Sequence, residues 1–489
     1  MSHSNYLFKS NQLNKFIAVY EKAENQQEKD LLWESITTPF IEEITTSKTN
    51  SLVTFLYRQS SSDPTTKIYI DCNAVGLTLT SISQMNAISE NDLLYLTIEL
   101  PNTLRTTYSF LKLDNQTHIS ETKDVVHQLY PLPEFSGELR KIIDTVMRLH
   151  AENNIEQDPK NQKKIAYYDY HDPEKCFFKE SILELPNAPT QSSYLSDVNL
   201  IKNERQKLIK EKRFFECTVS FSDTNLKDLV EYQDTKECKD QLQNSKRPYW
   251  IYLPPNYDHK NIYPLYLFLD GGDYLNTIPI PSILERMIAD KELSPCIAVF
   301  LEYAPVRRAL EYYGDERFTQ FLSQDFMKIL REKHHLSISH DPALTTIIGL
   351  SASGLAAIFA GLTVPHVFGN VIAQSASLWC RKWKDIEKWV DDTLLQKADT
   401  IFCMEAGTYE NIPAECRFQD GFVQAISILE ANKLLVTYMN KKGIKTSFHE
   451  FVGGHNYICY RSIVDRLKEI YEMRIDKMNN INKNSTAKR

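Results

Sequence analysis

The chain has 489 residues, more than the about 250–300 residues at which one hydrophobic core stops growing, so we expect two or three domains. A hydrophobic content of 42% and a charged content of 25% are typical of a globular protein, and a formal net charge of -8 argues against nucleic acid as the main partner. The first residues lack the pattern of a secretory signal and no apolar run reaches the about 18 residues of a membrane span, so we expect a cytoplasmic protein that does not insert into membranes.

The amino-terminal part predicts a helix followed by short strands. Apolar residues recur at helical spacing between residues 12 and 32, which predicts a helical extension over 1–32 with one apolar face. From about Trp33 to Leu113 the pattern changes to short β-type runs separated by Ser, Asn and Asp turns, which indicates a small antiparallel β-sandwich. The clearest predicted strands are 52–57, 67–71 and 93–100.

The segment between this sandwich and the rest of the chain is polar and interrupted by proline. Residues 138–152 have a helical pattern, whereas 153–205 contain two Asp-Pro pairs and a Pro-Asn-Ala-Pro run that interrupt any long element. We therefore place a linker near 198–212, at the end of an amino-terminal domain over 33–200. A second domain would cover 201–478, and 479–489 would form a disordered polar tail.

Apolar runs alternate with helical patterns throughout the second domain. Continuous apolar strands between helices indicate an α/β domain with a parallel sheet covered on both faces. The predicted strands are 249–253, 265–269, 297–301, 345–348, 371–374, 401–404 and 446–451.

The nine cysteines are scattered, odd in number and free of any C-x-x-C pair. This pattern indicates neither a disulfide framework nor a zinc site. We expect most of them to be reduced, buried residues and expect no bound metal.

The most informative motif is a serine at a strand-to-helix junction. An apolar strand runs into Ser351, which lies between Gly349 and Gly354, and a helix of small residues follows at once. This arrangement is typical of a nucleophile elbow, in which a tight turn raises the serine hydroxyl above the sheet. The amide of Ala352, at the helix start, would face an oxyanion. A buried turn in any parallel-sheet domain uses the same residue types, so the motif alone leaves both interpretations open.

A nucleophilic serine needs a base and an acid that orients the base, and in sheets of this type they follow the serine in the order carboxylate, histidine. His455 follows a predicted strand in a Gly-Gly-His turn whose flexible backbone lets the ring turn toward a neighbouring strand. A capping or merely exposed histidine is the alternative, and His449, inside the strand, is a weaker candidate base. Glu410 is the preferred acid. The other candidates for the acid are Glu405, Glu415 and Asp420.

Two further loops are predicted to lie on the same edge of the sheet. Gly271 and Gly272 follow the strand at 265–269 and could supply a second amide for an oxyanion, although a plain turn would use the same residues. Arg308 follows the strand at 297–301, with Glu311 three residues later. Glu311 could hold an arginine in place for an anionic substrate, or the two charges could form a structural ion pair.

With these pieces in order, the chain resembles the enterochelin (enterobactin) esterases, the ferric-siderophore hydrolases of the esterase D-like α/β-hydrolases. The resemblance covers most of the chain, and its specificity comes from motifs of both halves occurring in the same order. In the second half it rests on 252–257, 270–271, 308–311, 349–355, 365–369, 374–379, 405–410 and 453–455, followed by Tyr460 and Arg461. In the first half it rests on 53–58, Met85 ahead of 91–92, and 105–110, 158–161 and 183–189.

The resemblance implies an α/β-hydrolase domain preceded by an antiparallel β-sandwich. It implies a serine site that cleaves the ester bonds of a ferric siderophore's lactone backbone in the cytosol, so that iron can be released. Ser351 would be the nucleophile and His455 the base, with the acid left to Glu410 by position. No cofactor is implied, and iron would arrive only within the chelated substrate.

The cavity of such an enzyme would have to hold an aromatic, anionic chelate. Trp379, Arg381 and Tyr457 follow predicted strands of the rim or flank the histidine, and could stack on that chelate or neutralise its charge. Arg308 is the fourth candidate substrate-binding residue. Packing and surface roles are the alternatives.

Two residues depart from the family pattern. Ser353 stands where the family usually has glycine, and Asn456 stands where aspartate is common after the histidine. Retained chemistry with a changed substrate is therefore one expectation. A general carboxylesterase or acyltransferase of the same superfamily, and a siderophore-binding protein without catalytic activity, are the two alternative functions.

Overall fold

The computed structural model describes residues 9–59, 66–72, 82–88, 92–113, 134–135, 149, 154–168, 176–191, 198–221, 246–304, 307–395, 398–418 and 420–486. The strands of the amino-terminal half are β1 (Phe40–Ile44), β2 (Ser47–Arg58), β3 (Lys67–Asp71), β4 (Asn86–Ala87), β5 (Leu93–Pro101), β6 (Arg105–Leu113), β7 (Glu134–Phe135), β8 (Ile155–Glu156), β9 (Lys164–Tyr168) and β10 (Cys176–Glu184). Those of the second half are β11 (Phe214–Ser220), β12 (Lys246–Tyr252), β13 (Leu265–Leu269), β14 (Ile297–Leu301), β15 (Thr345–Leu350), β16 (Asn370–Gln374), β17 (Ile401–Gly407), β18 (Ala414–Arg417), β19 (Val423–Ile426) and β20 (Lys445–Phe451).

Most of the helices belong to the second half. The α-helices are α1 (Asn11–Tyr20), α2 (Gln26–Glu34), α3 (Val198–Lys210), α4 (Gly271–Asn276), α5 (Ile280–Ala289), α6 (Arg308–Tyr312), α7 (Glu316–Gln320), α8 (Ser351–Thr363), α9 (Trp383–Leu395), α10 (Ile428–Lys441), α11 (Tyr457–Tyr460) and α12 (Ile463–Thr486). The chain after α7 continues in π-helical turns at Phe321–Phe326 and Ile329–Lys333, and short 3-10 turns occupy Pro342–Leu344 and Leu378–Cys380.

The amino-terminal extension forms two helices where the sequence predicted one apolar face over 12–32. The break lies between α1 and α2, because the Asn25 side chain accepts a hydrogen bond from the Glu28 amide at 2.9 Å and caps a new helix there. Leu13 and Phe16 of α1 pack with Trp33 in a small core against β1 and β2. The extension is therefore part of the amino-terminal domain.

The predicted antiparallel sandwich is confirmed. One sheet has the order β1-β2-β5-β4, and the other has the order β3-β6-β10-β9 with β8 also on β6. Alternate residues of each strand point between the two sheets, and Phe55, Ile70 and Phe110 are fully buried there. The helix expected at 138–152 lies outside the described residues except for Leu149.

The second domain contains an eight-stranded sheet with the order β11-β12-β14-β13-β15-β16-β17-β20. Neighbouring strands from β14 to β20 are parallel, whereas β12 is antiparallel to both of its neighbours. The α/β prediction is thus confirmed, with the correction that the strand predicted at 249–253 runs against the others. Because the carboxyl ends of the parallel strands meet at one edge, the loops that follow them form one rim.

The linker predicted near 198–212 is wrong. This segment forms α3, in which Leu208 is buried in the core of the second domain and Arg205 donates to the Leu275 carbonyl at 2.6 Å. The disordered tail expected over 479–489 also needs correction, because α12 continues to Thr486. Both segments are polar, and polar composition alone does not distinguish a helix from an irregular segment.

The eight described cysteines are free, and six of them are buried. Within the described ranges, no helix combines the length and the apolar character that crossing a bilayer requires.

The two domains meet at the segment that follows β20. The Arg105 amide of β6 donates to the Val452 carbonyl at 3.3 Å, and the Asn456 side chain donates to the Thr106 hydroxyl at 3.0 Å. The rings of Tyr167 and Tyr457 lie edge to face with their centres 5.4 Å apart. The sandwich therefore holds the loop between β20 and α11 in place.

A buried ionic group lies beneath the same edge of the sheet. Glu311, for which the sequence left a substrate-site role and a structural ion pair open, binds Arg247 at 2.8 Å and Arg307 at 2.8 Å, and all three side chains are at most 3% exposed. Its structural role is the alternative that the sequence left open. Removing one member of such a group leaves a buried charge without its partner.

We expect Glu311→Ala to lower the free energy of unfolding by about 3–5 kcal/mol, because two buried guanidinium groups lose their counter-charge. Urea unfolding followed by tryptophan fluorescence measures the change. Glu332→Ala is the control, since Glu332 pairs with Lys328 at 3.9 Å on the exposed surface and its loss should cost less than about 1 kcal/mol. Equal effects of the two substitutions would contradict the structural role of Glu311.

Candidate active site

Ser351 lies at the junction of β15 and α8 with a left-handed backbone, at a φ of 55°. A residue other than glycine with this conformation carries strain of about 1–3 kcal/mol, which the surrounding structure must offset. Gly349 makes the tight turn possible, because a Cβ there would lie 2.1 Å from the Ser353 carbonyl oxygen. The junction has the geometry of the predicted nucleophile elbow.

Two neighbouring strands of the sheet end in the same way. Asp270 follows β13 with a φ of 53°, and Ser375 follows β16 with a φ of 48°. Strained backbone of this kind clusters at functional sites, where it aims side chains away from the sheet edge. The three strained residues thus lie on one rim of the sheet, and a functional site is expected there.

The structure brings Ser351, His455 and Glu410 together. The Ser351 hydroxyl lies 3.1 Å from Nε2 of His455, and Nδ1 of the same ring lies 2.5 Å from a carboxylate oxygen of Glu410. The carboxylate is almost fully buried, whereas the imidazole is 38% exposed. The Nδ1 edge of the imidazole is therefore fixed by a buried carboxylate. The Nε2 edge meets Ser351 on the side that is open to a substrate.

Glu410 is held rigidly. Its second carboxylate oxygen accepts hydrogen bonds from the Gly407 amide at 2.6 Å and from the Ser375 hydroxyl at 2.7 Å. The Tyr460 hydroxyl adds a contact to Nδ1 of His455 at 2.8 Å. The histidine thus faces two oxygen atoms on its Nδ1 side, which fixes the plane of the ring.

The other candidates for acid and base lie elsewhere. Glu405 is buried and accepts a hydrogen bond from the Gln374 amide at 2.6 Å, and Asp420 pairs with Lys382 at the surface. Glu415 lies on β18, opposite Ala425 of β19. His449 forms an ion-pair contact with Glu469 at 2.8 Å.

A cavity of about 320 Å³ opens beside Ser351. It is lined by Asp273, Tyr303, Arg308, Leu350, Ser351, His455, Tyr457 and Tyr460. Sequence reasoning gave no role to Asp273, Tyr303 or Tyr460. Asp273 follows directly on the Gly271–Gly272 pair, and that proximity was the available signal.

The loops predicted to bind an oxyanion differ in whether their backbone amides are available as hydrogen-bond donors. Ala352 occupies the first turn of α8, directly after Ser351, and its role as a donor stays a prediction. Gly271 begins α4 and packs so closely on β14 that a Cβ would lie 2.6 Å from the Phe300 carbonyl carbon. The prediction for Gly272 is corrected, because its amide donates to the buried Glu302 carboxylate at 2.7 Å.

The four predicted substrate-binding residues separate into two pairs. Arg308 and Tyr457 line the cavity, where Arg308 Nε donates to Asp270 at 2.9 Å and the Tyr457 hydroxyl donates to Asp273 at 2.8 Å. Trp379 does not line the cavity, because it packs in the core with 6% of its surface exposed.

Arg381 is the second of the pair that the structure removes from the site. Its guanidinium donates to the carbonyl oxygens of Tyr313 and Gly314 and stacks over the Trp389 ring. The predictions for Trp379 and Arg381 are therefore wrong. Both side chains are used to pack the loops behind the rim.

The two residues that depart from the family pattern have structural partners. The Ser353 hydroxyl accepts a hydrogen bond from the Leu350 amide at 2.9 Å and lies 2.8 Å from a carboxylate oxygen of Asp270. Asn456 caps α11 and bonds to Thr106 of the sandwich, so its side chain points away from the cavity. Neither residue adds a polar group to the cavity wall.

Carboxyl groups concentrate behind this wall. Burial, together with the nearby charge of Asp270, raises the pKa of Asp273 to about 7. The same two causes raise the pKa of Glu302 well above its ordinary value. The Arg308 guanidinium is bound in a bidentate manner to Asp270, so the positive charge of this region is already paired.

Comparison with known families agrees with both halves of this structure. The family described as "Enterochelin esterase, N-terminal" matches residues 52–194, which include most of the sandwich. The family described as "Putative esterase" matches residues 241–466, which contain Ser351, Glu410 and His455. Both domains of the chain thus match families of esterases, and the family matched by the amino-terminal domain is that of the enterochelin esterases.

Individual relatives are distant in sequence. The chain is 27% identical over 224 residues to the iron(III) enterobactin esterase of Dickeya dadantii, covering 45% of this chain and 50% of that protein. It is 25% identical over 223 residues to the iron(III) enterobactin esterase of Escherichia coli K12, covering 45% and 52%. The aligned segment thus spans about half the length of these curated relatives.

Solved structures share the fold over nearly the whole chain. The enterobactin esterase of Shigella flexneri, crystallised in the presence of enterobactin, matches with a TM-score of 0.64 at 18% identity, covering 92% of this chain and 99% of that one. The ferric enterobactin esterase of Salmonella typhimurium matches with a TM-score of 0.64 at 17% identity, covering 91% and 100%. The order of sandwich and α/β domain is therefore that of the enterochelin esterases.

We expect Ser353→Ala to lower the free energy of unfolding by about 1–3 kcal/mol, because the buried Leu350 amide and the Asp270 carboxylate each lose a hydrogen-bond partner. Thermal unfolding monitored by circular dichroism measures the loss. Thr437→Ala, on the exposed face of α10, is the control and should change stability by less than about 0.5 kcal/mol. A neutral Ser353→Ala would show that this hydroxyl does not support the turn.

Proposed function

We propose that this protein is a serine esterase that hydrolyses the ester bonds of a ferric siderophore's lactone backbone. The observation that carries the proposal is the hydrogen-bonded series of Ser351, His455 and Glu410 at the mouth of one cavity. A serine hydroxyl that lines the cavity, a histidine within reach and a buried carboxylate are the groups that acyl transfer requires. The family matches support the choice of a siderophore, since the named relatives are enterobactin esterases.

The proposed reaction begins with attack of the Ser351 oxygen on the ester carbonyl while Nε2 of His455 takes the serine proton. Glu410 keeps the proton of the imidazole on Nδ1 and stabilises the imidazolium that forms. In this scheme the Ala352 amide, directly after Ser351, donates to the negative oxygen of the tetrahedral intermediate. The imidazolium then protonates the leaving alcohol, and an acyl ester on Ser351 remains.

Water completes the proposed cycle. His455 takes a proton from a water molecule, the hydroxide attacks the acyl ester, and the protonated ring returns its proton to Ser351 as the carboxylic acid leaves. The chemistry needs no cofactor, and iron takes part only as the metal of the substrate. The cytosolic location predicted from the sequence stays a prediction.

The size of the cavity supports a substrate that enters only in part. Ligand pockets in proteins have volumes of about 300–1,000 Å³. The volume of this cavity, about 320 Å³, lies near the lower end of that range and suits one ester arm of a siderophore. We expect the bulk of an iron chelate to lie outside it, against the rim. Each turnover would then open one ester of the backbone.

We expect Ser351→Ala to lower kcat/KM by at least about a thousandfold and to abolish labelling by a fluorophosphonate, because the attacking oxygen is gone. Thr437→Ala, on the exposed face of α10, is the control and should remain labelled. Mass spectrometry of each variant after exposure to the fluorophosphonate shows whether it carries the label. Labelling of the Ser351→Ala protein at an unchanged level would rule out this serine as the nucleophile.

The choice of acid is tested by a pair of isosteric changes. Glu410→Gln should lower kcat by about a hundredfold or more, because a neutral amide no longer stabilises the imidazolium. Glu405→Gln should change kcat less than tenfold, since Glu405 bonds to Gln374 and not to the histidine. Steady-state hydrolysis of a p-nitrophenyl ester measures both, and the opposite ranking would assign the acid to Glu405.

The substrate class is tested by a direct comparison. We expect kcat/KM for an iron-loaded triscatecholate lactone to exceed that for p-nitrophenyl acetate, because only the larger substrate contacts the rim as well as the cavity. Liquid chromatography of the products identifies the ester that is cut. Turnover of the aryl ester alone would favour a general carboxylesterase, and binding of the chelate without turnover would favour a binding protein.

A further inference from the structure

A group of metal-ligating side chains lies between the sheet of the second domain and α12. Cys403 of β17, His449 of β20 and Glu469 of α12 each place one ligand atom there, and these atoms all lie within 4.8 Å of one another. The Cys403 sulfur lies 3.2 Å from the Glu469 carboxylate, and Nε2 of His449 lies 2.8 Å from it. We name these three residues the Cys-His-Glu group. They are not among the residues that line the cavity beside Ser351.

The order of the sheet explains why these residues meet. β17 and β20 are parallel neighbours, and in their register Cys403 lies opposite Ser447, two residues before His449. Residues two apart on a strand share a face, so the thiol and the imidazole lie on the same side of the sheet. Leu467 of α12 packs in the same core as Cys403, which brings Glu469 to that side. Three segments that are far apart in the chain therefore converge without any C-x-x-C pair.

Nε2 of His449 is buried but not hydrogen-bonded to any of the described residues, although the side chain as a whole is 40% exposed. The carboxylate oxygen of Glu469, 2.8 Å away, is not aligned with it as a hydrogen-bond acceptor. A buried polar atom costs free energy unless a partner meets it. A metal ion that accepts the lone pair of Nε2 would be such a partner.

The ligand types of the Cys-His-Glu group favour zinc. Thiolate sulfur, imidazole nitrogen and carboxylate oxygen are the ligand atoms that zinc uses in proteins, with bonds of about 2.0–2.3 Å. Tetrahedral bonds of that length place the ligand atoms about 3.3–3.6 Å apart, so the separations found here need only a small adjustment. Calcium and magnesium prefer oxygen ligands alone, so the thiol argues against both.

The charges around the group suit an added divalent cation. Arg466 donates to the Glu469 carboxylate at 3.0 Å, and its Nε lies 3.6 Å from the buried Glu405 carboxylate. A zinc ion and this guanidinium would face the thiolate of Cys403 and the two carboxylates, so that positive and negative charge balance. A carboxylate oxygen has two lone pairs, so Glu469 can accept from Arg466 while it binds an ion.

We propose that Cys403, His449 and Glu469 bind one zinc ion, which ties β17, β20 and α12 together. The Cys403 thiol gives its proton to the solvent when the bond to zinc forms, and His449 binds as the neutral imidazole. The exposed side of His449 provides the path of entry for the ion and for a water molecule as the fourth ligand. β17 and β20 lead into the segments that carry Glu410 and His455, so the ion would stabilise the framework behind them.

Metal binding is measured on the full chain after chelation with EDTA. After dialysis against zinc, plasma mass spectrometry should find one zinc ion per chain. Cobalt(II) in place of zinc should give the visible absorption bands of a tetrahedral site and a near-ultraviolet band from charge transfer between thiolate and cobalt. Because that last band requires a sulfur ligand, it reports directly on a bond to cysteine.

Two substitutions, each with a matched control, assign the ligands. Cys403→Ser should abolish the charge-transfer band and weaken zinc binding at least about tenfold, whereas Cys296→Ser, at another fully buried cysteine, should change neither. His449→Ala should also weaken zinc binding at least about tenfold, whereas His366→Ala, at an exposed histidine, should not. Because His449 is partly exposed, its variant keeps the test decisive even if Cys403→Ser does not fold.

Thermal unfolding gives an independent measurement. Zinc should raise the unfolding temperature of the unsubstituted chain and of both controls, and should leave that of Cys403→Ser and His449→Ala unchanged. A cobalt spectrum without the charge-transfer band, or an unchanged zinc affinity of His449→Ala, would overturn the metal site and leave the group as a hydrogen-bonded network around Glu469. Neither outcome affects the labelling of Ser351, so the metal site and the proposed function fail separately.

Discussion

The left-handed turn at Ser351 is the constraint on which the candidate site depends. At a φ of 55° the chain turns from β15 directly into α8, and the serine hydroxyl stands above the sheet instead of within it. The strain is offset by the missing side chain of Gly349 and by the Ser353 hydroxyl, which bonds to the Leu350 amide. A relaxed turn at this point would point the hydroxyl away from the histidine.

The sandwich domain contributes to the same geometry from outside the sheet. His455 lies in the loop between β20 and α11, and the two sides of that loop are bonded to β6 through Val452 and Asn456. The Asn456 amide donates to the Thr106 hydroxyl, and the same side chain caps α11. This bond joins the two domains beside the candidate base.

Much of the fold could be predicted from the sequence. The strands at 265–269 and 297–301 have the predicted bounds, because an apolar run between turn residues is a local signal that the finished sheet does not alter. The helix at 198–210 was missed, since its polar composition hides the face on which Leu208 is buried. Local pattern therefore identifies buried elements better than it identifies polar ones.

The residues of the candidate site also differ in how well the sequence predicts them. Ser351 and His455 could be selected from the sequence, because a strand, a tight turn and neighbouring glycines are all local in the chain. Which carboxylate meets the histidine, and whether Trp379 or Asp273 faces the cavity, depended on strand order and on how far each loop reaches. Only the tertiary structure decided those points, because they concern distances between segments that are far apart in sequence.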